Sequence, residues 1–258
     1  MLEISILQIA AVFFSGIAAG VINIMAGGGS TITLGVLIFL GMDASVANGT
    51  NRIGLMVEST SGVLAFRSEK YAAFKESFTL ALFTLPGAIL GAVSAVRISN
   101  ELFQQILAIV MILILVTLFL PKSSQEKIRS TSGKFRKPMI YPAMFLIGFY
   151  GGFIQVGIGF LLMGALRHLL NLDLVRVNMH KVFIVFVYTI PILIIFGLTG
   201  NIDWFHAVFL AAGYAIGAWW SAKISITGGD KVIRVVLGIA IIIMATKLML
   251  PVFDNLGH

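Results

Sequence analysis

The sequence predicts an all-α, polytopic membrane protein made of two inverted repeats. Each repeat is a glycine-broken helical hairpin followed by three transmembrane helices. Three observations predict this. Of the 258 residues, 59% are hydrophobic and only 11% are charged, where a soluble domain carries roughly 25% charge. Apolar runs long enough to cross a bilayer recur along the chain, and mean hydropathy is +1.02. Residues on the two sides of a basic linker also repeat one another in order.

The apolar segments fall at 4–26, 30–41, 45–66, 77–96, 102–120, 139–170 (interrupted), 177–200, 204–222 and 231–250. The opening Met1-Leu2-Glu3 has no basic region, so the first run is expected to be a retained span and not a cleaved signal. Segment 30–41 is 12 residues, about 18 Å of helix, too short to span alone. Segments 4–41 and 139–170 are therefore each expected to be a hairpin that enters and leaves on one side, with a glycine-rich apex at depth. Between the halves, 121–138 holds Lys122, Lys127, Arg129, Lys134, Arg136 and Lys137 against Glu126. It is read as a solvated cytoplasmic linker. The units are thus 1–120, the linker 121–138, and 139–258.

The repeat rests on four matches. Gly20-Val-Ile-Asn23 with Gly27 matches Gly152-Phe-Ile-Gln155 with Gly159, an offset of 132. Asp43, Asn48 and Asn51 match Asp173, Asn178 and Lys181, offset 130. "GAILGA" at 87–92 matches "GYAIGA" at 213–218, and "RIS" at 97–99 matches "KIS" at 223–225, both offset 126. Basic loops at 67–76, 121–138 and 223–234 are placed inside, and 199–203 outside. This makes the two halves opposite in orientation, the plan of many secondary transporters. Arg97 then lies outside, against the charge rule.

"NIMAGGGSTITLG", 23–35, sets Gly27, Gly28 and Gly29 inside an apolar region. Each glycine costs about 1 kcal/mol in a helix relative to alanine. In lipid, broken backbone is tolerated only where protein or a cavity satisfies it. A helix starting at depth aims unpaired N–H groups and a positive dipole end inward. Ser30 or Thr31 is expected to cap it, and glycine lets a small anion approach the amides. "QVGIG", 155–159, is the counterpart, with Gln155, Gly157 and Gly159.

In "VANGTNRI", 46–53, Asn48, Asn51 and Arg52 share one helix face, and "VNMHKV", 177–182, places Asn178 and Lys181 likewise. Arg52 and Lys181 are expected to neutralise a bound oxyanion, with Asn51 and Asn178 hydrogen-bonding it. The alternative reading of either cation is snorkelling at a span end. His180 is expected to be a hydrogen-bonding neighbour of the same cage. Glu58 is an acid well inside a span. It is a candidate to pair with a cation or to carry a coupling proton. Trp204, Trp219 and Trp220 read as interface anchors.

"GxxNxxAGGGSxxTL" at 20–34, then "ANGTNR" at 47–52, resembles the TauE/SafE family, the toluene-sulfonate uptake permeases. "GFYGGFIQVGIGFLL", 148–162, with "VNMHKV", resembles that family's second repeat. The chain departs from the pattern at Gly157 and Gly159, which replace a glycine triple, and at Arg52, where the family often has lysine. The resemblance adds Thr50 of the T-N-R motif to the site. It implies export or uptake of sulfite, sulfonates or sulfoacetate-like anions by alternating access, with no ATPase and no cofactor. The expected partners are that anion, a proton or sodium ion for coupling, the lipid of a bacterial inner membrane and a second copy of the chain, and no nucleic acid is expected. The rival readings are a membrane assembly factor or chaperone and an intramembrane enzyme. The enzyme reading lacks support in sequence: there is no cysteine, and His168, His180, His206 and His258 show no ligand spacing.

Overall fold

The structure, a computed structural model, describes residues 6–69, 74–119 and 136–228. Most of the 121–138 linker, the apolar run at 231–250, Met1–Glu3, and the loop cations Lys70, Lys231 and Arg234 lie outside the described residues. Within them the elements are helices: α1 (Ile6–Met25), α2 (Ser30–Phe39), α3 (Ala44–Ser68), α4 (Phe74–Ala95), α5 (Asn100–Phe119), α6 (Arg136–Phe153), α7 (Ile158–Leu170), α8 (Leu174–Leu198) and α9 (Trp204–Gly228). Four of them, α1, α4, α8 and α9, are long and apolar enough to cross a membrane. Helix α3 has the length, 25 residues, but carries Asn48, Asn51, Arg52 and Glu58, all buried inside the protein.

The two interruptions fall where the glycines lie. At the first, the Ala26 and Gly27 amides both donate to the Ile22 carbonyl, and Gly27 takes φ +90°. At the second, the Ile154 and Gln155 amides both donate to the Tyr150 carbonyl, and Gln155 takes φ +73°. A left-handed residue thus stops each helix, at a cost for Gln155 that glycine avoids. The chain then turns back. Gly29 packs on the Ala19 backbone, and Thr33 reaches Tyr214, which lies beside Gly20. Helix α2 therefore doubles back along α1, and Ile158 at the start of α7 folds onto Gly151 of α6. Helix α2 ends at Gly41 and α8 at Gly200, both with positive φ. There the Met42 and Asn201 amides reach back to the Leu37 and Phe196 carbonyls.

The same kind of helix crossing occurs twice. Gly16 and Gly20 of α1 lie against Leu210, Tyr214 and Ala218 of α9, while Gly213 and Gly217 of α9 lie against Phe13 and Ile17. Gly148 and Gly152 of α6 lie against Thr84 and Ala88 of α4, while Gly87 and Gly91 of α4 lie against Phe145 and Phe149. In each crossing a broken helix of one half meets a span of the other half, glycine edge on glycine edge. Small residues let backbones approach where lipid gives no hydrophobic drive for helix association. The two interruptions themselves touch, with Gly27 directly against Gly159.

A Cβ at Gly27 or Gly159 would enter the facing backbone, whereas a Cβ at Gly35 or Gly164 meets nothing within 4 Å. Gly159→Ala is expected to lower stability by about 2–3 kcal/mol. Gly164→Ala is expected to be neutral or stabilising by up to about 1 kcal/mol. Thermal unfolding of purified protein in detergent compares the two, and equal effects would refute the contact.

Candidate functional site

A small cavity sits where the interruptions meet. Asn23 and Gly27 line it from the first interruption, Ser30 from the start of α2, and Ile158 and Gly159 from the start of α7. Leu55, Glu58 and Ser59 of α3 and Lys181, Val182 and Val185 of α8 complete the wall. Its volume is about 20 Å³, room for a water-sized occupant.

Asn23 organises one side. Its Oδ1 accepts the Gly29 amide at 2.6 Å, and its Nδ2 donates to Glu58 Oε2 at 2.9 Å and to Ser30 Oγ at 3.4 Å. The expected cap is thereby corrected. The residue before α2 is Gly29, with no side-chain cap from its own position, and Asn23 takes the amide from the end of α1. Ser30 instead faces the cavity and accepts from Gln155 Nε2 at 3.4 Å. The buried Thr31 hydroxyl has no partner among the described residues and is off the cavity wall.

The two cations are where the sequence reading needs most revision. Lys181, 3% exposed, donates to the Asn23 carbonyl at 2.8 Å, the Ile24 carbonyl at 2.7 Å and Asn178 Oδ1 at 2.9 Å. Arg52, fully buried, donates to the Gly151 carbonyl at 3.0 Å and the Gly152 carbonyl at 2.7 Å, and stacks 4.8 Å from the centre of the Phe196 ring. Each cation thus satisfies carbonyls at the C-terminal end of a broken helix in the other half. Such ends leave carbonyls unpaired and carry the negative end of the helix dipole, so cations suit them. Lys181 also reaches the cavity, but Arg52 does not. Asn48 adds a neutral donor at the end of α6, donating to the Phe153 carbonyl at 3.1 Å.

The other expected residues divide between cavity and scaffold. Asn51 Oδ1 accepts from Thr33 Oγ1 at 2.7 Å and Tyr214 OH at 3.1 Å, one layer from the cavity. Asn178 Nδ2 donates to Ser225 Oγ at 3.3 Å. Thr50 Oγ1 accepts the Asp203 amide at 2.9 Å, fixing the chain where α9 begins. Asp203 in turn accepts from the His206 amide at 3.1 Å and its ring Nδ1 at 2.9 Å. Partial burial opposes the Asp203 carboxylate, but these bonds hold its pKa below the ordinary value. His180 faces α4, with Nδ1 2.8 Å from Ser77 Oγ and Nε2 4.0 Å from Glu76. Its ring does not line the cavity. Gly28, Gly29 and Gly157 shape the turns without lining the cavity.

Sequence reading did not single out Ser59. It lines the cavity, is 1% exposed, and its hydroxyl has no partner among the described residues. Its place beside Glu58 and one turn beyond Leu55, on the face that carries Asn51 and Arg52, was the available signal. Other buried polar atoms without a partner among the described residues include Asn51 Nδ2, Arg52 Nε, Gln155 Oε1 and the Tyr188 hydroxyl, none of them on the cavity wall. Tyr150 secures the second turn by donating to the Val156 carbonyl.

The family model described as "Sulfite exporter TauE/SafE" matches residues 12–248. A probable membrane transporter protein of Haemophilus influenzae is 28% identical over 255 residues, covering 96% of this chain and 97% of its own. The probable membrane transporter protein YfcA of Escherichia coli is 27% identical over 256 residues, covering 99% and 93%. The probable membrane transporter protein ORF9 of a Sinorhizobium species is 26% identical over 265 residues, covering both chains fully. No solved structure matches this chain.

Because Arg52 holds two buried carbonyls, Arg52→Ala is expected to destabilise the protein by about 3–5 kcal/mol. Arg52→Lys, which keeps a cation in reach of one carbonyl, is expected to cost less. Unfolding midpoints in detergent measure both. An Arg52→Ala protein as stable as the parent would overturn the assignment and return Arg52 to the cage.

Proposed function

The chain belongs to the TauE/SafE sulfite exporter family, and from that premise we propose a secondary carrier of small sulfur-containing anions, sulfite or organosulfonates, working by alternating access. It is a multi-pass integral membrane protein of the bacterial cytoplasmic membrane. We read it as a carrier and not an enzyme, in keeping with the transporter names of its relatives.

The cavity carries the reading. Two short helices, α2 and α7, begin at its wall, so two positive dipole ends converge there. The Lys181 ammonium and the unpartnered Ser59 hydroxyl line it as well. An oxyanion is the ligand that uses all four. At about 20 Å³ the cavity is too small for a sulfonate head, so binding one requires the site to widen. Opening then requires the first interruption to separate from the second. The twin glycine crossings, α1 with α9 and α4 with α6, support two equivalent halves rocking against each other. We take the halves to be oppositely oriented, each beginning with a hairpin.

The test is flux into proteoliposomes with a panel of labelled sulfite, sulfoacetate and methanesulfonate. Saturable uptake of at least one is expected. Ser59→Ala is expected to raise KM about tenfold to a hundredfold, the worth of one hydrogen bond to a charged ligand. Lys181→Ala is expected to abolish uptake, with Lys181→Arg retaining part of it. Flux no greater than in protein-free liposomes would defeat the carrier reading. Unchanged KM in both Ser59→Ala and Lys181→Arg would move the site elsewhere.

A further inference from the structure

We propose that Glu58 is the site of a co-transported proton, and that the anion occupies the cavity only when that carboxyl is protonated. The inference rests on the carrier reading above and assigns its coupling ion.

Glu58 is 5% exposed and lines the same cavity as Lys181. Among the described residues no ion pair within 4.0 Å joins Glu58 to Lys181 or to Arg52. The three Lys181 donors all end on neutral oxygens, at Asn23, Ile24 and Asn178. The Glu58 carboxylate receives the Asn23 amide. The groups around it are Lys181 and Tyr188 from α8, Tyr214 from α9, and neutral Asn23, Ser30 and Gly159 from α1, α2 and α7, while Arg52, six residues back on α3, is turned to the Gly151 and Gly152 carbonyls. Glu58, Ser59 and Lys181 share one cavity wall, so a negative ligand held by Lys181 and Ser59 sits beside an ionised Glu58. Two like charges at that range in a low-dielectric interior repel strongly. A proton on Glu58 removes the repulsion. It also turns the carboxyl into a donor toward the anion. A sodium ion at the same place would sit against the Lys181 ammonium, so the proton is the cation that fits.

The charge balance is simple. One proton from the bulk binds a Glu58 oxygen on the entry side, one anion binds, and both leave on the other side with no bond to the anion made or broken. Asn23 links this event to the fold. The same amide group that donates to Glu58 accepts the Gly29 amide, and the Asn23 carbonyl accepts Lys181. Neutralising Glu58 weakens the Asn23 donor bond and thereby the hold on the start of α2.

Proteoliposomes containing the full chain and a lumenal pH dye test the proposal. The probe is labelled methanesulfonate, a monovalent anion that stays ionised, so any proton that moves is moved by the protein. Saturable uptake is expected to acidify the lumen, one proton per anion. An inward gradient of one pH unit is expected to concentrate the anion about tenfold, and a sodium gradient is expected to do nothing. Glu58→Gln, whose side-chain carbonyl still accepts from Asn23, is expected to lose both acidification and gradient-driven accumulation. Glu58→Asp is expected to regain them in part. The proposal is overturned if wild-type uptake leaves lumenal pH unchanged, if Glu58→Gln still accumulates anion down a proton gradient, or if sodium drives uptake. Should Glu58→Gln not fold, the wild-type dye signal and Glu58→Asp decide. If only sulfite crosses, Glu58→Gln against wild type decides. No saturable uptake of any panel member is a different result: it defeats the carrier reading and this inference with it.

Discussion

The interrupted backbone at 26–29 and 154–157 is the constraint on which the molecule depends. A helix that stops inside an apolar layer leaves carbonyls that neither lipid nor a neighbouring aliphatic side chain can satisfy. Here the solution is reciprocal. Lys181 of the second half takes the carbonyls ending α1, and Arg52 and Asn48 of the first half take those ending α6. Each half supplies side-chain donors to the broken helix of the other. The close contact of Gly27 with Gly159 then brings both interruptions to one point.

This arrangement changes how the cations should be understood. A cation standing free beside an anion site is an electrostatic trap. A cation already bonded to two or three carbonyl or amide oxygens is a latch, and its availability depends on what the helix end does. Lys181 combines the two, because it holds the end of α1 while bordering the cavity. Arg52 has the latch role alone, with an aromatic face covering its plane. The surroundings of the two cations thus differ: Lys181 borders the cavity, whereas Asn51, next to Arg52, joins a hydroxyl cluster with Thr33 and Tyr214.

Much of this was legible in the sequence because it follows from period and length. The segment ends, the two interruptions, the acid at 58 and the cation at 181 are local signals, and each helix lies within a few residues of its apolar run. What could not be read locally is the partner across the helix pair. Nothing at Arg52 says that its guanidinium ends on Gly151 and Gly152, about a hundred residues on. Nothing at Thr50 says that it meets Asp203, nor at His180 that its ring meets Ser77. A helical period assigns a face, but which backbone lies opposite is set by the glycine crossings. Ser59 was missed for another reason: a serine beside an acid carries no signal until the cavity gives its hydroxyl a direction.

Asn23 explains why the site and the fold cannot be separated. Its carbonyl accepts the Lys181 ammonium, its side-chain oxygen accepts the α2 amide, and its side-chain nitrogen serves Glu58 and Ser30. A ligand oxygen that draws Lys181 away from the Asn23 carbonyl leaves the end of α1 unsatisfied, and a change in charge at Glu58 alters the bond that holds Gly29. Under the carrier reading, occupancy and backbone position are thus linked through one residue at the last turn of α1. Among the described residues Gln155 makes a lesser link at the second interruption: it sits in the turn itself at positive φ, and its side-chain nitrogen donates to Ser30. The side-chain bonds at the first interruption therefore tie the cavity to the backbone more closely than those at the second.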